Sequence, residues 1–247
     1  MKYIITAILL LGLSNLHAQQ PYPNLSTLKI ENLCGDESYI LIHYDEALAK
    51  VINTQLNKLP MIHQLYASSD QHEENDIVLL ELKFTTTELP NNYYLVFSWG
   101  MSCDPGFYFI DGKTNKSIGG SPGLEIYIPG GNSIYTTGHL NSTFNKRRKY
   151  SFDGTEFNEV EPEFYYVGLE TKTLKPITLY TDEELTTKLA YLPENYNVEV
   201  IAAKRTNDYS SKIKYLIKTE LGLLGWSTIE ITAFESIQIE GIYFMGD

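Results

Sequence analysis

The chain is poor in cysteine and tryptophan, with two of each among 247 residues. Two thiols cannot build a dense disulfide scaffold or a four-cysteine zinc site, so the fold must rest on an apolar core. Cations are scarce as well: 19 Lys and Arg face 31 Asp and Glu, a formal net charge of −12. A chain of that sign repels phosphate backbones, which excludes general nucleic-acid binding. Beyond the N-terminus no apolar run approaches the roughly 20 residues a membrane-spanning helix requires. No His-x-x-x-His or Cys-x-x-Cys spacing occurs either, so no metal or cofactor site is expected.

What is abundant points to strands and an address. Nineteen Tyr and ten Phe accompany seventeen Gly and ten Pro, a mixture of strand-favouring rings and turn formers. At the start, Lys2 precedes an apolar run from Ile4 to Leu13, then Ser14, Asn15 and, after Leu16-His17, the small Ala18. That order describes a signal peptide over residues 1–18, with export to the periplasm or the exterior after cleavage at Ala18. Cleavage removes one Lys and no acid, leaving the mature chain one unit more negative. In an exported chain Cys34 and Cys103 can form a disulfide; the alternative is two separate buried thiols.

Residues 19–33, with Pro21 and Pro23, read as an extended lead-in. Over Asp45–Leu56 the apolar Leu48, Val51, Ile52 and Leu56 recur at spacings of three and four, with acids first and Pro60 beyond, which predicts a helix. The polar stretch Ser68–Asp76 reads as a loop. From Ile77 onward short apolar or alternating runs follow one another: 77–84, 93–99, 107–110, 124–128, 133–137, 149–152 and 164–169. Turn signals such as Pro90-Asn91-Asn92, Asp111-Gly112, Pro129-Gly130-Gly131-Asn132 and Asp153-Gly154 separate them. Seven strands fall far short of the roughly sixteen of a four-bladed propeller. The expected fold class is therefore mainly β, with an antiparallel meander or sandwich and one helix over residues 19–175.

The remainder has a different pattern. An opening strand Ile177-Thr178-Leu179-Tyr180 leads to a polar loop, a strand ends in Leu192-Pro193, Val198-x-Val200 follows, and Lys218-Thr219-x-x-Gly222-x-x-Gly225-Trp226 closes the unit. Val198, Val200 and Ala202 alternate inward, and Gly225 permits a close approach before bulky Trp226. Residues 177–230 resemble a bacterial SH3 (SH3b) domain. The resemblance implies a small SH3-like β-barrel from about residue 176, in a second part over residues 176–247; beyond the barrel, the apolar groups at 237–239 and 242–244 read as further strands that either close it or return to the first part. It also implies binding rather than chemistry, with a cell-wall peptide, a glycan or an envelope protein as partner. Tyr180, Tyr196, Tyr209 and Trp226 are the candidate ligand contacts; the competing role for each is packing at the barrel rim. Leu179-Tyr180 replaces a polar or basic residue frequent in that family, and Pro193-Glu194-Asn195 stands where Lys-Gly is common, although Asn195 can still take the left-handed turn conformation.

Such modules often accompany a Cys-His peptidase, whose thiol sits at a helix N-terminus. Cys34 runs instead into the strand-like Tyr39–Ile42, and Cys103 lies in the turn Asp104-Pro105-Gly106, so neither context suits; His43 and His139 stand alone in sequence. The acids around His72 lack the glycine register of a calcium loop. Glu159, Glu161 and Glu163 alternate, but Pro162 interrupts them, and charge protecting a strand edge explains the same pattern. The basic run Lys146-Arg147-Arg148-Lys149 offers an anion-binding surface or internal partners for the many carboxylates. The expected function is non-enzymatic binding in the bacterial envelope. The alternatives are a cell-wall hydrolase with an N-terminal site that no motif reveals, and a purely structural barrel docked on its own neighbour.

Overall fold

The computed structural model describes residues 22–31, 39–55, 58, 76–83, 92–100, 103–206 and 210–246. The expected signal peptide, Cys34, His63, His72 and Tyr209 lie outside them. Among the described residues the chain forms eighteen β-strands and no α-helix, and no helix is long and apolar enough to cross a membrane. The mainly-β class holds.

Two sheets make the N-terminal part. One runs in the order β1 (Ser26–Glu31), β2 (Tyr39–Tyr44), β8 (Glu125–Ile128), β9 (Ser133–Gly138), β10 (Lys146–Phe152), β11 (Phe157–Glu159). The other is a plain meander of β3 (Ala49–Gln55), β4 (Ile77–Leu82), β5 (Tyr93–Ser98), β6 (Gly106–Asp111) and β7 (Ser117–Pro122). Alternation drives Ile40, Ile42, Ile126 and Phe152 from the first sheet against Leu80, Leu95, Phe97 and Phe109 from the second, giving one core between facing sheets. The meander is inserted between β2 and β8, which therefore pair in parallel. The expectation of strands each hairpinned to the last fails at that point, because local hairpin signals carry no information about an insertion.

The helix expected over Asp45–Leu56 is absent. Asp45 accepts bonds from Ala47 and Ala49 in a turn, and residues 49–55 then form β3 on β4. A register shift between Val51 and Thr54, with Asn53 at φ +46°, inserts a bulge. The extra residue breaks the two-residue alternation, leaving Ala49, Ile52 and Thr54 half-buried and Val51 exposed, so the apolar spacing is not that of the strand's inward face. β-Branched Val51, Ile52 and Thr54 favour the strand. Strands β1 and β7 replace an expected lead-in and an unassigned Gly-rich stretch; Gly119 and Gly120 face the Phe157 and Tyr108 backbones or rings, where a Cβ would collide.

The C-terminal sheet follows the order β12 (Phe164–Lys172), β15 (Asn197–Lys204), β16 (Lys212–Thr219), β17 (Leu224–Thr232), β13 (Ile177–Tyr180), β14 (Lys188–Leu192), with β18 (Glu235–Ser236) on β17. The order is an open path, and no pairing joins β12 to β14 among the described residues, so the expected barrel is not closed. β12 belongs to this sheet although it precedes residue 176. The sheet curls over its own core of Val198, Val200, Tyr215, Ile217, Ile229, Ile239 and Ile242. A register shift between Val200 and Ala202 turns Ala203 inward instead of Ala202. Gly225 behaves as expected: a Cβ there would stand 2.8 Å from the Leu179 Cβ and 3.0 Å from the Tyr180 carbonyl oxygen. Asn195 takes the left-handed turn at φ +59°.

The chain end makes no extended strand beyond β18. Ile239 and Ile242 plug the C-terminal core, while Met245 bridges to Ser142 in the N-terminal part.

Candidate functional site

Two surfaces carry chemistry, one on each part. On the C-terminal sheet the inward-outward alternation of β17 buries Ser227 and Ile229 and leaves Trp226 half-buried on the outer side. Tyr180 is its cross-strand partner. Phe164, on a strand three places away in the sheet order, brings its ring to 5.5 Å from Trp226, a measure of how strongly the sheet curls. Lys204, cross-strand from Phe164, lies over that ring at 5.9 Å and pairs with Glu183, which holds its ammonium pKa above the usual value. Beside it Arg205 contacts Glu161 at 2.8 Å, and Glu161, Glu163, Lys204 and Arg205 line an open cavity of about 430 Å³. The structure thus brings Tyr180 and Trp226 together and adds Phe164, whose role is visible only once the sheet curls. Tyr196 is elsewhere, packed against the C-terminal core.

The second surface is the outer face of the first N-terminal sheet. Thr27, His43, Tyr127, Tyr135 and Lys149 stand in one cross-strand row over five strands. The His43 Nδ1 is 2.8 Å from the Thr27 hydroxyl oxygen, and its Nε2 is 2.8 Å from Glu125 Oε1. An ionised carboxylate only accepts, so in the neutral ring Nε2 carries the proton and the Thr27 hydroxyl donates to Nδ1. Tyr127 donates to the same Glu125 oxygen at 2.7 Å and stacks on the imidazole with centroids 4.4 Å apart. Tyr22 leans over Tyr127 and Tyr135. His43 is 2% exposed, whereas Thr27 is open to solvent.

Electrostatics follow from these contacts. Burial raises the Glu125 pKa, but the hydrogen bonds from His43 and Tyr127, with the charges of His43 and Arg147, outweigh it and hold the carboxyl below its usual value. Burial and the bond to Glu125 push the Tyr127 hydroxyl well up. Backbone geometry adds a further feature. Leu41 and Asp45 spend their N–H groups on Leu124 and Ile128, on the β8 side of β2. By alternation, the ladder bonds from β2 to β1 come from the even-numbered residues, and Thr27 against His43 is a non-hydrogen-bonded pair with close side chains. The Thr27 N–H therefore points away from the sheet, at an end of the strand order where no described strand pairs with it. Sequence reasoning treated His43 as solitary because Thr27 and Glu125 are 16 and 82 residues away.

The basic run is divided by the pleat of β10. Lys146 and Arg148 point inward and are buried, Lys146 over the Tyr165 ring at 4.5 Å; Arg147 points outward over the Tyr166 ring at 5.0 Å. Four consecutive charges in sequence therefore form no single patch. Arg148 reaches the Leu140 carbonyl at 3.5 Å. Glu159 accepts from Tyr150 and Tyr165, apart from Glu161 and Glu163, which line the cavity beside Arg205, so the three alternating acids do not form one cluster. His139 bonds the Tyr243 carbonyl at 2.8 Å. Cys103 is disulfide-bonded. No group of three or more His, Cys, Asp and Glu suited to a metal ion occurs among the described residues. The chain matches no known protein family, no curated protein and no solved structure.

Proposed function

We propose that the protein is an exported binding protein of the bacterial envelope whose C-terminal sheet holds a cell-wall peptide. The reading unites the N-terminal address in the sequence with the SH3b-like order of pieces over residues 177–230. It is carried by one observation: Phe164 and Trp226 meet at the surface with Tyr180 adjoining, beside a rim of alternating charge from Glu161, Glu163, Lys204 and Arg205. Flat rings accept the apolar side of an extended peptide, and a rim of both signs suits a ligand with free carboxylates and amines. The measure is co-sedimentation of the protein with purified peptidoglycan. Trp226→Ala is expected to lower the affinity tenfold or more, as truncation of a central aromatic contact commonly does, with the melting temperature nearly kept. Undiminished binding by Trp226→Ala overturns the reading. Binding retained on glycan strands stripped of their peptides overturns the choice of peptide over sugar. A collapse of thermal stability favours the purely structural role.

A further inference from the structure

The outer face of the N-terminal sandwich contains an arrangement that peptide binding at Phe164 and Trp226 does not use. An exposed hydroxyl, a buried imidazole and a carboxylate stand in line, with Thr27 Oγ1 and Glu125 Oε1 each 2.8 Å from opposite nitrogens of His43. A nucleophile bonded to a base, and that base oriented by a third group, is the geometric signature of covalent acyl transfer, independent of fold and of residue order. The supporting contacts fit the roles. Glu125 is ionised, held so by His43, Tyr127 and the nearby Arg147. Tyr127 fixes both the carboxylate, by its hydroxyl, and the imidazole, by stacking. The main-chain N–H of Thr27 faces outward beside its own hydroxyl, where an oxyanion formed on an attacked carbonyl has a donor within reach.

We propose that Thr27 is the nucleophile of a second, hydrolytic site, acting on O-acyl esters displayed on a larger molecule. The substrate class follows from the setting. Thr27 lies exposed on β1, at an end of the described strand order, where an ester carried on a larger molecule can reach its hydroxyl from solvent. In acylation the Thr27 O–H bond breaks, its proton passes to His43 Nδ1, and a bond forms from Oγ1 to the acyl carbon. The bond from that carbon to the leaving oxygen then breaks, and the alcohol departs with the proton from Nδ1. Water next attacks the acyl-threonine, giving its proton to Nδ1, and the same proton returns to Oγ1 as the carboxylic acid leaves. No oxidant or metal is needed, and water is the second reactant. Because His43 is shielded behind Thr27, incoming water reaches the base poorly, and acylation outpaces deacylation.

The test uses the full mature chain with p-nitrophenyl acetate. A burst of p-nitrophenol near one equivalent is expected, followed by slow turnover, with an acetyl group found by peptide mass mapping on Thr27. Thr27→Ala, a change at an exposed position, should cut the burst tenfold or more, while Thr27→Ser preserves it. His43→Gln should abolish it. Absence of acetyl from Thr27 in the unaltered protein, or a burst unchanged in Thr27→Ala, overturns the proposal. Mapping of the acetyl group on the parent chain stands whether or not a variant folds. Retention on peptidoglycan is read separately, so failure here leaves the binding reading intact.

Discussion

The two parts of the molecule bury comparable apolar side chains by different means. The N-terminal part presses two sheets face to face, so the core of each is supplied by the other. The C-terminal part has one sheet that curls around its own core and seals it with the tail residues Ile239 and Ile242. A facing pair leaves flat outer surfaces, and one of them carries the row from Thr27 to Lys149. A curled sheet brings distant strands together, and it produces the meeting of Phe164 with Trp226. The kind of site each part offers is thus a consequence of how it hides its apolar surface.

The sharpest way to break that division is to ask whether the parts unfold independently. Phe97→Ala in the sandwich and Tyr215→Ala in the curled sheet each remove a fully buried ring and should cost about 3–5 kcal/mol. Both are expected to lower one shared transition in calorimetry. Contacts that couple the parts include the Thr143–Tyr215 hydroxyl contact at 2.9 Å, Lys146 over Tyr165, Arg147 over Tyr166, the His139 bond to the Tyr243 carbonyl and the Met245–Ser142 bridge. Two transitions, with each variant moving only its own, would show two autonomous units.

A smaller effect is expected at Gly225. An alanine there drives a methyl into the Leu179 Cβ and the Tyr180 carbonyl, which belong to a paired strand and cannot swing aside. The expected loss is about 1–3 kcal/mol by denaturant titration, with weakened ring packing at Trp226. Stability equal to the parent would mean that β13 is free to shift, and that the curl is looser than the contacts imply.

The smallest effect separates the sandwich face from the rest through pH. The Glu125 pKa is lowered in the folded chain, so its contribution is present in full above the unfolded carboxylate value and is lost as pH falls through the folded one. Glu125→Gln should therefore cost about 1 kcal/mol at near-neutral pH, the net size of a typical hydrogen bond at a partly exposed site. The gap between parent and variant should narrow as the pH is taken below the usual carboxylate range and through the lowered folded value. A gap independent of pH would mean that the carboxylate is not ionised against His43.

Most strands from β4 onward were legible because Tyr, Phe and branched aliphatic residues alternate cleanly between Gly- and Pro-containing turns; β7, β11 and β18, which are Gly-rich or very short, were not. The helix expected over Asp45–Leu56 was misread for a physical reason: a bulge at Asn53 interrupts the alternation of β3 and leaves apolar Val51 exposed, so no clean period of two marks the strand. The close approach at Gly225 and the left-handed turn at Asn195 were readable from residue type, since each depends on the local backbone. Phe164 gave no signal, because its value comes from a neighbour three strands away in the sheet order. His43 gave none either, since a side chain's partners across a sheet depend on register, and no periodicity encodes register over 82 residues. The basic run shows the converse. Four adjacent charges looked like one patch, and a pleat turned alternate members inward.

Composition and alternation by themselves determined that this chain is acidic and mainly β, and they placed most of its strands, because those properties depend on each residue and its near neighbours. The insertion of a meander between β2 and β8, the open path of the C-terminal sheet, and the alignment of Thr27, His43 and Glu125 were decided only by tertiary structure. Strand pairing brings together residues far apart along the chain, and the free energy that selects one pairing belongs to the buried core as a whole.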